Sequence, residues 1–243
     1  MKRVQQQGET SSTLHISQKL TIFILRSTRP YIRPKEATMA ITEIQTEKMP
    51  PDHIMSFEEY MAWGDEDVRS ELVGGKVLIM SPISFKHQEI VSFLTAIFRI
   101  YTEVTHTGHI LTAPFAMRIG DKTVREPDLL FVCKTNEYRL TNTYLNGPAD
   151  MVIEIISPES IGRDRGVKFV EYESAGVPEY WLIDPIRQQV EFYRLNGSHY
   201  QLINPTDGIY KTDLLPSFFI QTNWFWQDPL PPILDTLKQL KLL

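Results

Sequence analysis

One cysteine, Cys133, stands among 243 residues, so no internal disulfide can form and no zinc cluster built on thiolates can be held. It closes an apolar run, where a small buried side chain is expected instead of a reactive thiol, in keeping with a cytoplasmic setting. Missing too is any run near the ~20 apolar residues that a membrane span needs, so no membrane partner is expected. An excess of positive charge is also lacking. A net charge of -5 excludes a chain whose whole surface binds polyanions, and any nucleic-acid contact must come from a local basic patch. The chain carries no internal repeat and no low-complexity tract. What is present is an ordinary globular composition, 42% hydrophobic and 23% charged, at a length that can bury a real core.

Acids are nearly missing from residues 1–38, which carry Lys2, Arg3, Lys19, Arg26, Arg29, Arg33 and Lys35. Their one apolar stretch, Thr21 to Leu25, is shorter than a signal-peptide core of about 7–15 residues. Met39-Ala40-Ile41-Thr42-Glu43 reads as an ordinary protein start. Residues 1–50 are therefore expected to be a basic, disordered extension ahead of a single domain over 51–243. A genuine basic tail for nucleic acid is the other reading. A peptide covering Leu14 to Lys19 from the natively expressed protein would exclude a start at Met39.

Within the domain, Ser56 followed by Phe57-Glu58-Glu59 predicts a capped helix. Residues 71–80 read as a hairpin turning at Gly74-Gly75, and Ser81-Pro82 ends it. Ile90, Val91, Leu94, Ile97, Phe98 and Tyr101 recur at helical spacing from about Ser84 to Glu103, with Gly108 as the stop. Ile110 to Ile119, a turn at Gly120-Asp121-Lys122 and the run after it predict a second hairpin. Residues 134–149 read as a long, site-shaping loop. Asp164 is expected to cap a helix ending at Gly176, followed by a strand over 179–184 and a hairpin over 189–203. Ile233, Leu234, Leu237 and Leu240 predict a terminal amphipathic helix docked on its own domain. His106 and His109 are expected to be loop histidines.

Two apolar runs carry one misplaced carboxylate each, Asp128 in Glu126-Pro127-Asp128-Leu129-Leu130-Phe131-Val132 and Glu154 in Asp150-Met151-Val152-Ile153-Glu154-Ile155-Ile156-Ser157. Both read as buried strands, and a carboxylate inside one is costly without a compensating cation. Asp128 and Glu154 on neighbouring strands, with the backbone carbonyl of Ile155, offer hard oxygen ligands to a Mg²⁺ or Mn²⁺ ion that keeps positions open for substrate phosphate. Lys168, one turn into the following helix, can orient water or offset charge developing on phosphorus. Arg163 and Arg165 beside it add positive potential for a phosphate backbone.

The order helix, hairpin, Pro-Asp strand, Glu strand, helix, strand is similar to the core of the PD-(D/E)XK nucleases. More closely, residues 56–225 resemble the Uma-two family of restriction-endonuclease-like chains. The likeness rests on Glu71-Leu72-Val73-Gly74-Gly75-Lys76, on Ser81-Pro82 with His87, and on Pro127-Asp128. It continues through Ile153-Glu154-Ile155-Ile156-Ser157-Pro158, Arg163-Asp164, Lys168, Tyr172 and Ala175-Gly176-Val177-Pro178-Glu179-Tyr180-Trp181. The resemblance implies an α/β fold with a mixed central sheet flanked by helices and an extra N-terminal hairpin. It also implies DNA, or RNA, as substrate, Asp128 and Glu154 as metal ligands, and Lys168 as the catalytic lysine. Two residues after Glu154 the superfamily pattern has a lysine and this chain has Ile156; the resemblance implies that the lysine has moved to the helix.

Each residue has a plainer reading beside this one. Asp128 can cap a turn at a strand entrance, and Lys168 can pair with Asp164 four residues away. Glu71 is either a further metal-shell acid or an edge-strand acid facing solvent. His87 either meets phosphate or bonds to backbone. For the whole chain the alternatives are a nuclease fold that binds nucleic acid without turnover, and a structural module whose buried acids pair with Arg125, Arg163 or Arg165. A homodimer would suit cutting of both strands, by analogy alone.

Overall fold

Ser56 opens the first helix with a reciprocal pair of hydrogen bonds. Glu59 N–H donates to its Oγ at 3.2 Å, and its own N–H donates to Glu59 Oε2 at 2.8 Å, which satisfies two otherwise orphaned donors. The computed structural model describes residues 49–64 and 68–243; the basic stretch and the start expected at Met39 lie outside the described residues. From α1 (Phe57–Trp63) the chain enters the predicted hairpin of β1 (Ser70–Val73) and β2 (Lys76–Ile79), with Gly74 and Gly75 at positive φ. Next comes α2 (Phe85–Thr105), capped by Ser84, with Ile90, Val91, Leu94, Ile97, Phe98 and Tyr101 buried along one stripe.

Gly108 does not stop this helix. His106, at φ 55, ends it, and Gly108 begins β3 (Gly108–Thr112). A Cβ at Gly108 would lie 2.1 Å from the Val132 carbonyl oxygen, so only glycine allows this approach of β3 to its neighbour. His109 is thus a strand residue, and its Nε2 lies 3.2 Å from Glu137 Oε2.

The predicted second hairpin turns at Asp121-Lys122, with Ala116–Gly120 antiparallel to Thr123–Arg125, but two prolines divide its arms. Pro114 separates β3 from β4 (Ala116–Gly120), and Pro127 separates β5 (Thr123–Arg125) from β6 (Leu129–Cys133). Proline cannot donate to a ladder, so each apolar run breaks there and its halves enter different sheets. The larger sheet takes β3 and β6 with β8 (Met151–Ile155), β9 (Glu179–Asp184), β10 (Gln189–Asn196) and β11 (His199–Leu202), in the order β11-β10-β9-β8-β6-β3. Only β8 and β9 run parallel in it. The smaller sheet has the order β2-β1-β5-β4-β7, where β7 (Tyr144–Asn146) comes from the segment expected to be loop. The rest of that segment holds a 3₁₀ turn over Lys134–Arg139.

Alternation along the larger sheet divides its side chains between two layers. Leu129, Phe131, Ile153 and Ile155 pack with α2, while Leu130, Val152 and Ile156 pack with Tyr172 of α3 (Phe169–Ala175). A third, smaller core joins Phe57 and Tyr60 of α1 to Leu72 and Val124. After the short pair β12 (Ile209–Lys211) and β13 (Phe219–Gln221), α4 (Ile233–Gln239) seats Leu237 and Leu240 in the α2 core, as the tail pattern predicts. Cys133 is half-buried, and burial, with Asp150 beside it, pushes its thiol up to about 12. Among the described residues no helix is long and apolar enough to cross a membrane.

Candidate active site at the seam of two sheets

Glu126-Pro127-Asp128 carries the chain from the smaller sheet to the larger. Its two acids therefore sit where the sheets meet. The antiparallel register of β6 on β8 pairs Leu129 with Ile153, so one residue back Asp128 stands opposite Glu154. Ile155 N–H donates to Asp128 Oδ2 at 2.8 Å, and His87 Nε2 lies 3.0 Å from the same oxygen. The buried His87 from the first turn of α2 thus meets a carboxylate, where the plainer reading expected backbone.

Period-two alternation puts Glu154 on the α3 side, between Val152 and Ile156. Ile156, in the place of the missing lysine, is buried in the core under α3. The lysine arrives from above instead. The helix begins at Ile161, not at Asp164, and forms a π turn over Arg163–Lys168 that runs directly into α3. Residues four apart advance by about 40° beyond a full α-helical turn, and the wider π turn takes up that drift. Asp164, Lys168 and Tyr172 consequently share the inward face, and all three are buried. Lys168 Nζ donates to Glu154 Oε1 at 2.8 Å and Tyr172 OH to the same oxygen at 2.8 Å. Lys168 Nζ also stands 3.3 Å from Glu71 Oε1 and 3.5 Å from Asp164 Oδ1, so the pairing with Asp164 coexists with the pairing to Glu154.

Glu71 is not an edge-strand acid. Strand β1 lies between β2 and β5, and Glu71 is fully buried. Its Oε2 accepts from Arg125 Nη1 at 2.8 Å and its Oε1 from Glu126 N–H at 3.2 Å. Arg163 lines the cleft with Arg69, while Arg165 does not. Arg165 turns to the opposite edge, where it donates to Asp184 at 3.1 Å and to Glu191 at 2.6 Å. The reason is local. Asp184 and Glu191 face each other's strands across β9 and β10 and need a cation between them. We expect Arg165→Ala to cost about 2 kcal/mol of stability, read by denaturant unfolding, and to leave nucleic-acid affinity unchanged.

The electrostatics are those of a site with surplus negative charge. Glu126, Asp128, Glu154 and Asp164 line one narrow cleft with Lys168 between them. Burial opposes the charge on Lys168, but Glu154, Glu71 and Asp164 outweigh it and hold its pKa above the ordinary lysine value. Burial pushes the Glu154 carboxyl up in spite of Lys168, and Asp164, Asp128 and Glu71 add to that rise. Burial raises Glu126 to about 8 against the opposing charge of Arg69. At Glu71 burial is overridden by Lys168 and Arg125, and the carboxyl stays below its ordinary range.

This set suits a hard divalent cation. Buried oxygens of Asp164 (Oδ1) and Glu126 (Oε2) have no hydrogen-bond donor, although Lys168 Nζ stands 3.5 Å from the former, and such atoms leave room for an added ion or water. Among the described residues no group of three or more Asp, Glu, His or Cys side chains is placed to hold a metal ion. A Mg²⁺ site needs only one or two carboxylates beside waters and phosphate, and Asp128 with Glu154 supplies two. A wider, mostly apolar groove beside α1 and α2 meets the acid cleft at Arg69 and Glu126.

Asp128, Glu154 and Lys168, three residues expected to act together, therefore line one cleft, and so do Ile155, His87 and Arg163. Arg69 and Glu126 join them without having been assigned a role from sequence, and so does Asp164, expected there only as a helix cap and a partner of Lys168. The spacing of four between Asp164, Lys168 and Tyr172 is the signal that points to Asp164. Glu126 offers none beyond its place before Pro127.

The sequence model of the family Uma2, described as putative restriction endonuclease, matches residues 57–223. A crystal structure described as a putative nuclease belonging to DUF820 from Anabaena variabilis is similar over 71% of this chain and 97% of that one. The two share 19% sequence identity at a TM-score of 0.60, a likeness of fold. No curated protein matches the chain.

Proposed function

This chain belongs to the Uma2 family of putative restriction endonucleases, and from that premise we propose that it hydrolyses phosphodiester bonds in DNA with a divalent cation. The observation that carries this reading is the convergence of Asp128, Glu154 and Lys168 in a single cleft, with Lys168 Nζ 2.8 Å from Glu154 Oε1. Acids outnumber Arg69, Arg163 and Lys168 along the cleft, so an added cation would favour the approach of a phosphate. Asp128 and Glu154, with the Ile155 carbonyl, would hold Mg²⁺ or Mn²⁺. When bound, the ion supplies charge at the phosphoryl oxygens and acidifies water at the phosphorus.

The chain's own groups do the rest. Lys168 stays protonated among its carboxylates. Its ammonium has three hydrogens, and those held only loosely by Glu71 and Asp164, at 3.3 and 3.5 Å, can turn to orient the attacking water or meet charge developing on the phosphoryl group. Tyr172 and Lys168 together fix the Glu154 carboxylate, and His87 and the Ile155 N–H fix that of Asp128. Arg163 and Arg69 give the cleft its positive rim, which draws the phosphate backbone in.

The deciding assay incubates the full chain with plasmid DNA, oligonucleotides and RNA in Mg²⁺, Mn²⁺ or chelator. Cutting that needs the ion supports the reading, and uncut substrates in every condition end it. We also expect Asp128→Asn to lower Mn²⁺ affinity by at least about tenfold in calorimetry and to stop cleavage while the protein stays folded. A second reading, a nucleic-acid-binding module without turnover, is favoured by one observation: Lys168 and Glu154 already satisfy each other. Tight DNA binding with no Mn²⁺ uptake selects it.

A further inference from the structure

Beneath the acid cleft lies a layer of buried charge that the roles above do not use. Arg125 closes β5 with no exposed surface. Its Nη1 donates to Glu71 Oε2 at 2.8 Å and its Nε to Glu171 Oε2 of α3 at 2.7 Å. Glu71 in turn shows its other oxygen to Lys168 Nζ at 3.3 Å. A sheet and a helix can often be joined by apolar side chains of similar volume with no loss of stability. A chain of charges that ends on Lys168 calls for another account.

We propose that Arg125, acting through Glu71, is a positioning residue for Lys168; this rests on the reading of the cleft as a phosphodiester-hydrolysing site. Lys168 faces three carboxylates, at 2.8 Å for Glu154, 3.3 Å for Glu71 and 3.5 Å for Asp164. The one it leans on is set by the charge each has left. Arg125 takes up the charge of Glu71 from the side away from the cleft. Glu71 then holds the ammonium only loosely, and Nζ stays on Glu154, toward the substrate. Glu171, partly exposed, draws Arg125 from the α3 side and so limits how much of Glu71 it neutralises. Without Arg125, Glu71 is a buried carboxylate whose nearest remaining cation is Lys168, and the ammonium is pulled back from Glu154. If both charges are removed, the pull is gone.

The test follows the Lys168 ammonium directly. In the full chain labelled with ¹⁵N-lysine, its NζH₃⁺ resonance is identified by its loss in Lys168→Met. Arg125→Met should displace that resonance, and Glu71→Gln combined with Arg125→Met should return it toward the wild-type position. Glu171→Gln, at a partly exposed site, should displace it in the opposite sense and serves if Arg125→Met does not fold. Calorimetry should show Mn²⁺ binding several-fold tighter in Arg125→Met, because Glu154 has lost its competing cation. Cleavage should fall at least tenfold in kcat at nearly constant KM, with recovery in the double variant. An unmoved resonance in whichever of Arg125→Met and Glu171→Gln folds, or a double variant no nearer wild type than Arg125→Met, overturns the relay. If wild-type protein cuts no substrate, the functional reading falls alone and the resonance still decides the relay.

Discussion

Replacing Glu154 with Gln should abolish cleavage, by about 10³-fold or more, while the protein melts at or above the wild-type temperature. Both halves follow from one environment. Glutamine keeps the shape of the side chain and an oxygen that can accept from Tyr172 OH and Lys168 Nζ, both at 2.8 Å in the native chain. What it removes is a charge that burial already disfavours and that Asp164, Asp128 and Glu71 crowd. A carboxyl whose pKa is raised on folding binds its proton more tightly in the native state. Stability then falls as pH climbs from the unfolded value through the folded one. Glutamine cannot ionise, so the variant should gain on wild type as pH rises through that window. Activity is lost for the same reason that stability is kept, since the site needs the charge the fold would discard. Parallel melting curves and plasmid-cleavage rates check this. A variant that melts well below wild type at neutral pH, or one that still cuts, would contradict the assignment.

Glu154 can be found from sequence because its strand offers no other explanation for it. An acid at the centre of Met151-Val152-Ile153-Glu154-Ile155 breaks an apolar run that otherwise pays for its own burial. Asp128 and Lys168 are legible through spacing and resemblance together. The fold class is legible too, because strand and helix periods differ. Its seams are not: Pro114 and Pro127 mark breaks, but no local rule tells which sheet each half joins. Arg125 and Glu71 are hidden for a related reason. They lie 54 residues apart, and only the pairing of β1 with β5, at Leu72 and Val124, brings them together. Arg165 misleads because neighbours in sequence on a helix, such as Arg163 and Arg165, point to different sides. The π turn is invisible in composition, yet without it the inward line of Asp164, Lys168 and Tyr172 would drift off the cleft.

Lys168→Met should be the most damaging single change, with both activity and fold affected. Three buried carboxylates, Glu154, Glu71 and Asp164, share this one ammonium. Removing one partner of a buried ionic set costs about 3–5 kcal/mol, because the charges left behind stay out of water. For a domain of this size that corresponds to a melting temperature lower by roughly 10 °C. The sign of the pH dependence separates this cause from lost packing. The wild-type lysine has its pKa raised by those carboxylates, so its stabilising contribution is complete below the ordinary lysine pKa and fades only above it. In the variant the carboxyls lose their cation and each binds its proton more tightly than before, so the native state takes up protons as pH falls and the deficit narrows on acidification. A packing defect would be the same at every pH. Melting both proteins from acid to alkaline conditions decides between them: a gap that does not change with pH would mean that Lys168 holds the fold by its carbon chain and not by its charge. Cleavage should drop by at least about 10²-fold even where the variant is fully folded, since methionine can neither orient water nor meet charge at phosphorus.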